Sequence, residues 1–394
     1  MSERPRIVVV SPYRIEYGPP QTLTHVARAL VDAGFDPICL VPDRARRVGN
    51  LEEIADVRLL SQLTTVPRTW NVARLGSFMR HHLTAARAIE GVVRESDARA
   101  VYSISEAVFA GSLAAKRVGI PGIVHVIGMS IRSPRLGGLA YVRMLNQLTE
   151  HFIACSSAVA EMLSAYGVID DKISVVHNGV PLSRIQAAAD LPDPLADQPR
   201  PRIGMIAAYD SRKGHELFVE ASALVAERRP NAEFYLVGGV LDGQPDSVAF
   251  ERRVGEQIQQ LGLGPRFHRP GFVAAPELYS WIRALDIVVV PSRTEAFAHV
   301  LVEAMACSRP VVATGIEGNL DAFADGHSGL YTEPDAASMA ARILALLDDP
   351  PRATAMGVAA SRRAELFDLA VTLPALGDAV QQVVDARWKA EAYG

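Results

Sequence analysis

Two glutamates with seven residues between them, Glu295 and Glu303, stand in the stretch Pro291-Ser292-Arg293-Thr294-Glu295-Ala296-Phe297-Ala298-His299-Val300-Leu301-Val302-Glu303-Ala304-Met305-Ala306. It follows directly on the apolar run Ile287 to Val290, so a strand, a turn and then a helix fit it best. With the helix starting near Ala298, the amides of Val300 and Leu301 fall in its first turn. There, unpaired N–H groups and the helix dipole favour an anion, and a pyrophosphate suits the place. Glu295 precedes the helix and Glu303 lies more than a turn inside it. One carboxylate can reach the group beyond the phosphates and the other the group before them, and sugar and ribose hydroxyls are natural partners for such acceptors. On spacing alone, an amphipathic helix carrying two exposed glutamates accounts for the same residues equally well.

The elements that must hold these residues repeat along the chain. Short Val- and Ile-rich runs alternate with longer amphipathic stretches, the pattern of parallel sheets covered by helices on both faces. Ile7 to Val10 is followed by a helix with Leu23, Val26, Ala27, Leu30 and Val31 on one face, and by a second strand over Ile38 to Val41. Further strands are expected at Ala100 to Ile104, Ile123 to Ile127, Phe152 to Ala154 and Ile173 to Val176. Periodicity then fades through a proline-crowded stretch and restarts with a strand over Ile203 to Ala207. A helix with Leu217, Phe218, Ala221, Leu224 and Val225 on one face comes next, and then strands at Phe234 to Val237, Ile287 to Val290 and Val311 to Thr314. The expected organisation is a first domain over 1–181, a linker over 182–200, a second domain over 201–370, and a C-terminal helix over 371–394 that crosses back to the first domain. Two such doubly wound domains face each other across a deep cleft, with ligands at the carboxyl ends of the strands lining it.

Composition sets the outer limits. A chain of 394 residues exceeds what one core usually organises. With 49% hydrophobic residues, 21% charged residues and a formal net charge of -4, it reads as an ordinary globular protein with no footprint of nucleic-acid binding. Cys39, Cys155 and Cys307 lie far apart inside or beside apolar runs, without metal-ligand or redox spacing, and read as buried thiols in a reducing cytoplasm. Met1 to Val10 is too short for a signal peptide, and no apolar run reaches the roughly 20 residues of a membrane span. The stretch Arg74 to Arg87 sets Leu75, Phe78, Met79 and Leu83 at helical spacing with Arg74, Arg80, His81 and His82 between them. A surface helix of the first domain is the plainer reading, and peripheral contact with an anionic membrane is the alternative.

The setting Pro-Ser-x-x-Glu-x-Phe-x-x-x-Leu-Val-Glu-Ala-Met-Ala resembles the paired-glutamate motif of the GT4-type retaining glycosyltransferases, which have the GT-B fold of two Rossmann-like domains. The similarity extends to Asn178-Gly179-Val180, Lys213-Gly214-His215, Pro270-Gly271-Phe272-Val273 and Asp325-Gly326-His327-Ser328-Gly329-Leu330, essentially the whole second domain. The resemblance implies that Glu295 holds donor-sugar hydroxyls near the reacting centre and that Glu303 holds the nucleotide ribose. Backbone groups at Phe297 and Ala298 would border the sugar, those of Val300 and Leu301 the phosphates, and those near Gly271 and Phe272 the base. Lys213 would neutralise the departing diphosphate.

Three positions depart from the family pattern. A basic residue often stands five positions before the Lys-Gly pair; here it is Ala208, and Arg212 is the substitute cation. A Gly-Gly loop often follows the first strand; here it reads Tyr17-Gly18-Pro19-Pro20, and because proline donates no N–H, phosphate contacts there would fall on Gly18 and on Gln21 or Thr22. A strand-end histidine beside the donor sugar corresponds to Ile127, while His125 stands two residues earlier on the same strand face. His125 is carried as a candidate catalytic group against the plainer reading of a satisfied core histidine.

The expected activity is a retaining transfer of a sugar from a nucleotide diphosphate sugar to an acceptor hydroxyl on a small molecule, glycan or lipid-linked glycan. No Asp-x-Asp pair occurs, so neither a metal nor another cofactor is expected at the diphosphate. A sugar nucleotide epimerase or phosphorylase of the same architecture, and a non-catalytic protein that kept the donor pocket, are the competing readings.

Overall fold

The computed structural model describes residues 4–12, 19–42, 49–63, 72–128, 135–241 and 244–393. Contacts divide the chain into two units, Met1–His177 together with Ala370–Gly394, and Asn178–Leu369. Gly18 lies outside the described residues. The helix Pro19–Asp32 begins directly after it, with both prolines in the first turn, where the missing N–H costs no intrahelical bond.

The first unit carries a seven-stranded parallel sheet. Its strands are β1 (Arg6–Val10), β2 (Asp36–Val41), β3 (Asp56–Leu59), β4 (Ala100–Ile104), β5 (Gly122–Val126), β6 (His151–Ala154) and β7 (Ile173–Val175), in the order β3-β2-β1-β4-β5-β6-β7. The central strand shows why the sequence reads as a continuous apolar run. Ile7 and Val9 enter one core with Leu23, Val26 and Leu30, while Val8 and Val10 enter the core on the opposite face with Ala85, Ala86 and Ile89. Side chains alternate across the sheet and both faces are covered, so neither set can be polar.

The last helix, Leu369–Tyr393, belongs to this first unit: Leu376, Val380 and Val384 complete the core around Ile7 and Val9. Its Gly377 sits so close to the first helix that an added Cβ would stand 2.9 Å from the Ala33 Cβ. The Arg74 to Arg87 stretch lies in the helix Val72–Ser96. His82, grouped with the polar residues in the sequence, is buried and stacks on Phe109 with ring centroids 4.5 Å apart; Phe78 is buried beside it and Leu83 is exposed. No helix among the described residues is long and apolar enough to cross a membrane, and Cys39, Cys155 and Cys307 are all buried free thiols.

The second unit carries a six-stranded parallel sheet of β8 (Arg202–Ile206), β9 (Glu233–Val237), β10 (Phe267–Gly271), β11 (Ile287–Val290), β12 (Val311–Thr314) and β13 (Leu330–Thr332), ordered β10-β9-β8-β11-β12-β13. Phe218, Ala221 and Val225 of the helix His215–Arg228 pack on it, whereas Leu224 of the expected apolar face is partly exposed. Strand order runs outward in opposite directions from β8 and β11, which makes the gap beyond their carboxyl ends the switch point where ligands of such sheets bind.

Residues 182–200 are folded onto this second unit rather than strung out as a tether. Leu182, Ile185, Ala188 and Leu195 are buried, and the Arg283 guanidinium donates to the Ile185 carbonyl. The anchor is Arg202, only 2% exposed, whose guanidinium donates to the carbonyls of Leu195, Gln198 (2.8 Å), Pro199 (3.3 Å) and Ala284 (3.2 Å) and pairs with Asp193 at 3.1 Å. A buried guanidinium must satisfy its donors, and these backbone acceptors hold the proline-rich segment against the start of β8.

Candidate active site in the second unit

The loops leaving β8 and β11 meet at the switch point. After β8, Asp210 caps a short turn by accepting the Arg212 amide at 2.9 Å, and Gly214 closes it with φ +76°, a conformation that favours glycine. A Cβ on Gly214 would stand 1.9 Å from the Pro291 carbonyl oxygen, so the two loops touch backbone to backbone. The Arg212 carbonyl accepts the Arg293 amide at 2.7 Å, stitching them further.

That contact carries Lys213 to Glu295: the lysine Nζ lies 2.5 Å from the glutamate Oε2. The glutamate side chain is 13% exposed and the lysine side chain about a third, and the Ser292 hydroxyl approaches the same oxygen at 3.4 Å. Arg212, the expected substitute for the cation absent at Ala208, is engaged elsewhere, its guanidinium forked onto Asp210 at 2.6 to 3.1 Å. Burial pushes the Asp210 carboxyl up, but the bonds and charge of Arg212 outweigh it and hold it below its usual range. Lys213 is thus the cation facing Glu295.

The helix after the loop spans His299–Ala306, with Ala298 at its N-cap and no side-chain cap. The Leu301 amide donates to the Ala298 carbonyl at 3.1 Å, so of the two amides expected to face an anion, only that of Val300 has no backbone acceptor among the described residues. Phe297 and Ala298 are buried, the phenyl ring packing on Phe367 at 5.4 Å. His299 is pushed below its ordinary value by burial, opposed by Glu295 and reinforced by Lys213, which favours the neutral imidazole in the field of that pair.

Glu303 is half-buried on the same helix, and among the described residues no cation pairs with it. Desolvation lifts its carboxyl to about 7, and its charge in turn helps to raise Tyr279 and Cys307, both of which burial raises first. Gly271 ends β10 with φ +87°, its carbonyl accepting the Gly238 amide at 2.9 Å, and Phe272 beyond it is 60% exposed. These residues border the carboxyl ends of β9 and β10, on the side of β8 away from β11.

The structure therefore brings Lys213, Glu295 and His299 together and sets Glu303 on the same short helix. His125 lies in the first unit, buried in β5, its Nδ1 bonded to the Tyr102 hydroxyl at 2.8 Å and its Nε2 buried without a partner among the described residues; burial drives it down to about 4. The sequence reading did not single out Asp210, Gly318 or Glu317. A Cβ on Gly318 would stand 1.7 Å from the Ala296 carbonyl oxygen, and Glu317 accepts the Glu295 amide. Among the described residues, no three His, Cys, Asp or Glu side chains group as a metal ion would need.

Comparison with known proteins covers both units. The family described as Glycosyl transferases group 1 matches residues 188–363, and Glycosyltransferase Family 4 matches residues 18–184. Curated relatives include the D-inositol 3-phosphate glycosyltransferase of Arthrobacter sp. (strain FB24), 33% identical over 62% of this chain and 59% of the relative. A D-inositol 3-phosphate glycosyltransferase of Catenulispora acidiphila is 30% identical over 65% of each. The chain spans between about half and two thirds of the length of the curated relatives it matches. Among solved structures, sucrose-phosphate synthase from Thermosynechococcus elongatus superposes with TM-score 0.78 at 20% identity, over 97% of this chain and 100% of that one. Anabaena HepE in complex with UDP-glucose gives 0.74 at 21% identity, over 96% and 99%. These likenesses show the GT-B fold.

Proposed function

Because the chain belongs to the GT4-type glycosyltransferase family, we propose that it moves a sugar from a nucleotide diphosphate sugar to an acceptor hydroxyl, with retention of anomeric configuration and without a metal ion. The observation that carries this reading is the Lys213–Glu295 pair at the switch point between β8 and β11. A cation and a sugar-binding carboxylate must sit on either side of the bond that breaks, and this pair supplies both.

In this scheme Glu295 accepts hydrogen bonds from donor-sugar hydroxyls, and Lys213 turns to the diphosphate. The Val300 amide and the start of its helix add to the stabilisation of the leaving group. Glu303 takes the ribose hydroxyls, and the Gly271–Phe272 turn borders the base. The bond from the anomeric carbon to the diphosphate breaks while the acceptor oxygen bonds the same carbon on the same face. The acceptor proton passes to the departing phosphate oxygen. The acceptor falls to the first unit, whose candidate site residues are His125 and Gly18. A reducing cytoplasm suits the three buried thiols. The curated relatives' names make a phosphorylated polyol the first acceptor to try.

The test is a thermal-shift and calorimetric screen of nucleoside diphosphates and their sugars in chelator, followed by transfer assays with NMR of the product anomer. A bound native state gains stability by mass action, so a cognate diphosphate raises the midpoint. No shift with any diphosphate would remove the donor site. Strict magnesium dependence, or an inverted anomer, would remove the corresponding part of the mechanism.

A further inference from the structure

Glu317 follows β12 in the left-handed backbone region, with φ +43°. A glycine adopts that conformation freely and a glutamate does not, so a side chain held there is over-determined by its surroundings. Its carboxylate holds two groups of the loop that carries Glu295. Oε2 of Glu317 accepts the Thr294 hydroxyl and the Glu295 amide, each at 2.8 Å. The next amide, Gly318, donates to the Glu295 carbonyl at 3.2 Å. The peptide groups on both sides of the Glu295 Cα are therefore gripped by one dipeptide from the neighbouring strand's end. The Thr314 hydroxyl adds a third tie to the Ser292 carbonyl at 2.6 Å.

We propose that Glu317 is a positioning residue for Glu295: its carboxylate fixes the loop backbone so that the Glu295 side chain points at the donor sugar rather than sampling the open loop. The inference rests on the reading of Glu295 as the sugar-binding carboxylate. Its physical content is that a group aimed by two charge-assisted bonds reaches the transition state without reorganising, whereas the same group on a loose loop does not. Glu317 itself contacts neither sugar nor phosphate in this scheme. Its loss therefore affects turnover and the sugar's share of binding, and spares the nucleotide's share.

The test compares native protein, Glu317→Gly and Glu317→Gln by calorimetry with UDP-glucose, ADP-glucose and GDP-mannose, each against its bare diphosphate. Transfer or donor hydrolysis is measured with the pair that binds. Glu317→Gly removes the carboxylate while suiting the backbone, so its thermal midpoint is expected to hold or rise. Its bare-diphosphate affinity stays within about twofold, while turnover falls at least about tenfold and the sugar's contribution to affinity is lost. Glu317→Gln keeps an oxygen acceptor at the same reach and stays within about threefold of native turnover. Native turnover in Glu317→Gly, equal weakening of diphosphate and nucleotide sugar, or a glutamine variant as impaired as the glycine one would each overturn the proposal. If the native protein binds none of the pairs, the proposed function fails first and this inference with it.

Discussion

Lys213 and Glu295 are 82 residues apart in sequence, yet their charged atoms lie 2.5 Å from each other. The pairing follows from topology. β8 and β11 are neighbours in the sheet although two strands separate them in sequence, and their following loops are pressed together at Gly214 and Pro291. Glu295 satisfies the lysine in this structure. In the proposed scheme an incoming diphosphate competes for that ammonium, while the sugar hydroxyls offer Glu295 new donors. Binding of the whole donor is then an exchange of partners at this pair.

Lys213→Ala removes the cation and leaves a mostly buried carboxylate without its partner. The expected result is a loss of roughly tenfold or more in diphosphate affinity, with a parallel fall in turnover. Both are read by calorimetry in chelator and by donor hydrolysis. Circular dichroism checks that the fold is intact. Unchanged nucleotide binding in this variant would take Lys213 out of the site.

Glu303 makes a prediction in pH. Its folded carboxyl titrates near 7, against an ordinary value of 4.5, because burial disfavours the anion. The folded state binds the proton more tightly, so stability is greatest below about pH 4.5 as far as this group is concerned. It falls as pH rises through 7, by at most on the order of 3 kcal/mol before solvent screening is allowed for. Glu303→Gln should flatten that slope and stabilise the ligand-free protein at pH 8, measured by urea unfolding at pH 5, 7 and 8. Ribose hydroxyls donate to the ionised form. Nucleotide binding near pH 7 should therefore release a proton, seen as a dependence of binding enthalpy on the buffer's ionisation heat.

Gly214→Ala tests the contact that joins the two loops. The new Cβ would meet a backbone carbonyl at 1.9 Å in a conformation that disfavours side chains, and neither neighbour is a flexible side-chain end. A loss of about 2 kcal/mol or more is expected, together with weaker diphosphate binding as Lys213 shifts. A variant of native stability would mean that the loops are free to part.

What the sequence made legible is what local pattern determines. The strands at Ala100–Ile104, Ile287–Val290 and Val311–Thr314 stand where the apolar runs end, because a strand buried on both faces tolerates nothing else. β3, β10 and β13 were not legible: Asp56–Leu59 is a half-exposed edge, Phe267–Gly271 contains a proline, and Leu330–Thr332 is too short to show alternation. The proline-crowded stretch before Arg202 reads as a tether until the buried guanidinium that binds its carbonyls is seen. At the candidate site, the motif pointed to Glu295, Glu303 and Lys213, and the structure sets Lys213 against Glu295. Asp210 carried one local signal, an Asx cap two residues before Arg212. Glu317 carried none: the Glu295 amide and Thr294 hydroxyl it accepts from are 22 and 23 residues away, and its φ is not written in any residue pattern. The bond from the Leu301 amide to the Ala298 carbonyl was not legible either, since a single 3.1 Å contact that tightens the first turn leaves no mark in the residue pattern.

The last prediction separates the two glutamates by role. Glu303 faces the ribose in ground and transition states alike in the proposed scheme, so Glu303→Gln should weaken bare diphosphate and nucleotide sugar equally, raising KM more than it lowers kcat. Glu295 meets only the sugar, and until donor arrives it holds Lys213. Glu295→Gln should therefore leave bare-diphosphate affinity unchanged or a few-fold tighter, since the lysine is released. The rate of sugar transfer should fall on the order of a hundredfold, the usual cost of one charge-assisted hydrogen bond that strengthens at the transition state. The measurement is a titration of the bare diphosphate against both variants alongside transfer or donor hydrolysis. Loss of diphosphate affinity in Glu295→Gln with native affinity in Glu303→Gln would mean that the donor runs along this helix in the opposite direction, with the sugar at Glu303 and the ribose at Glu295.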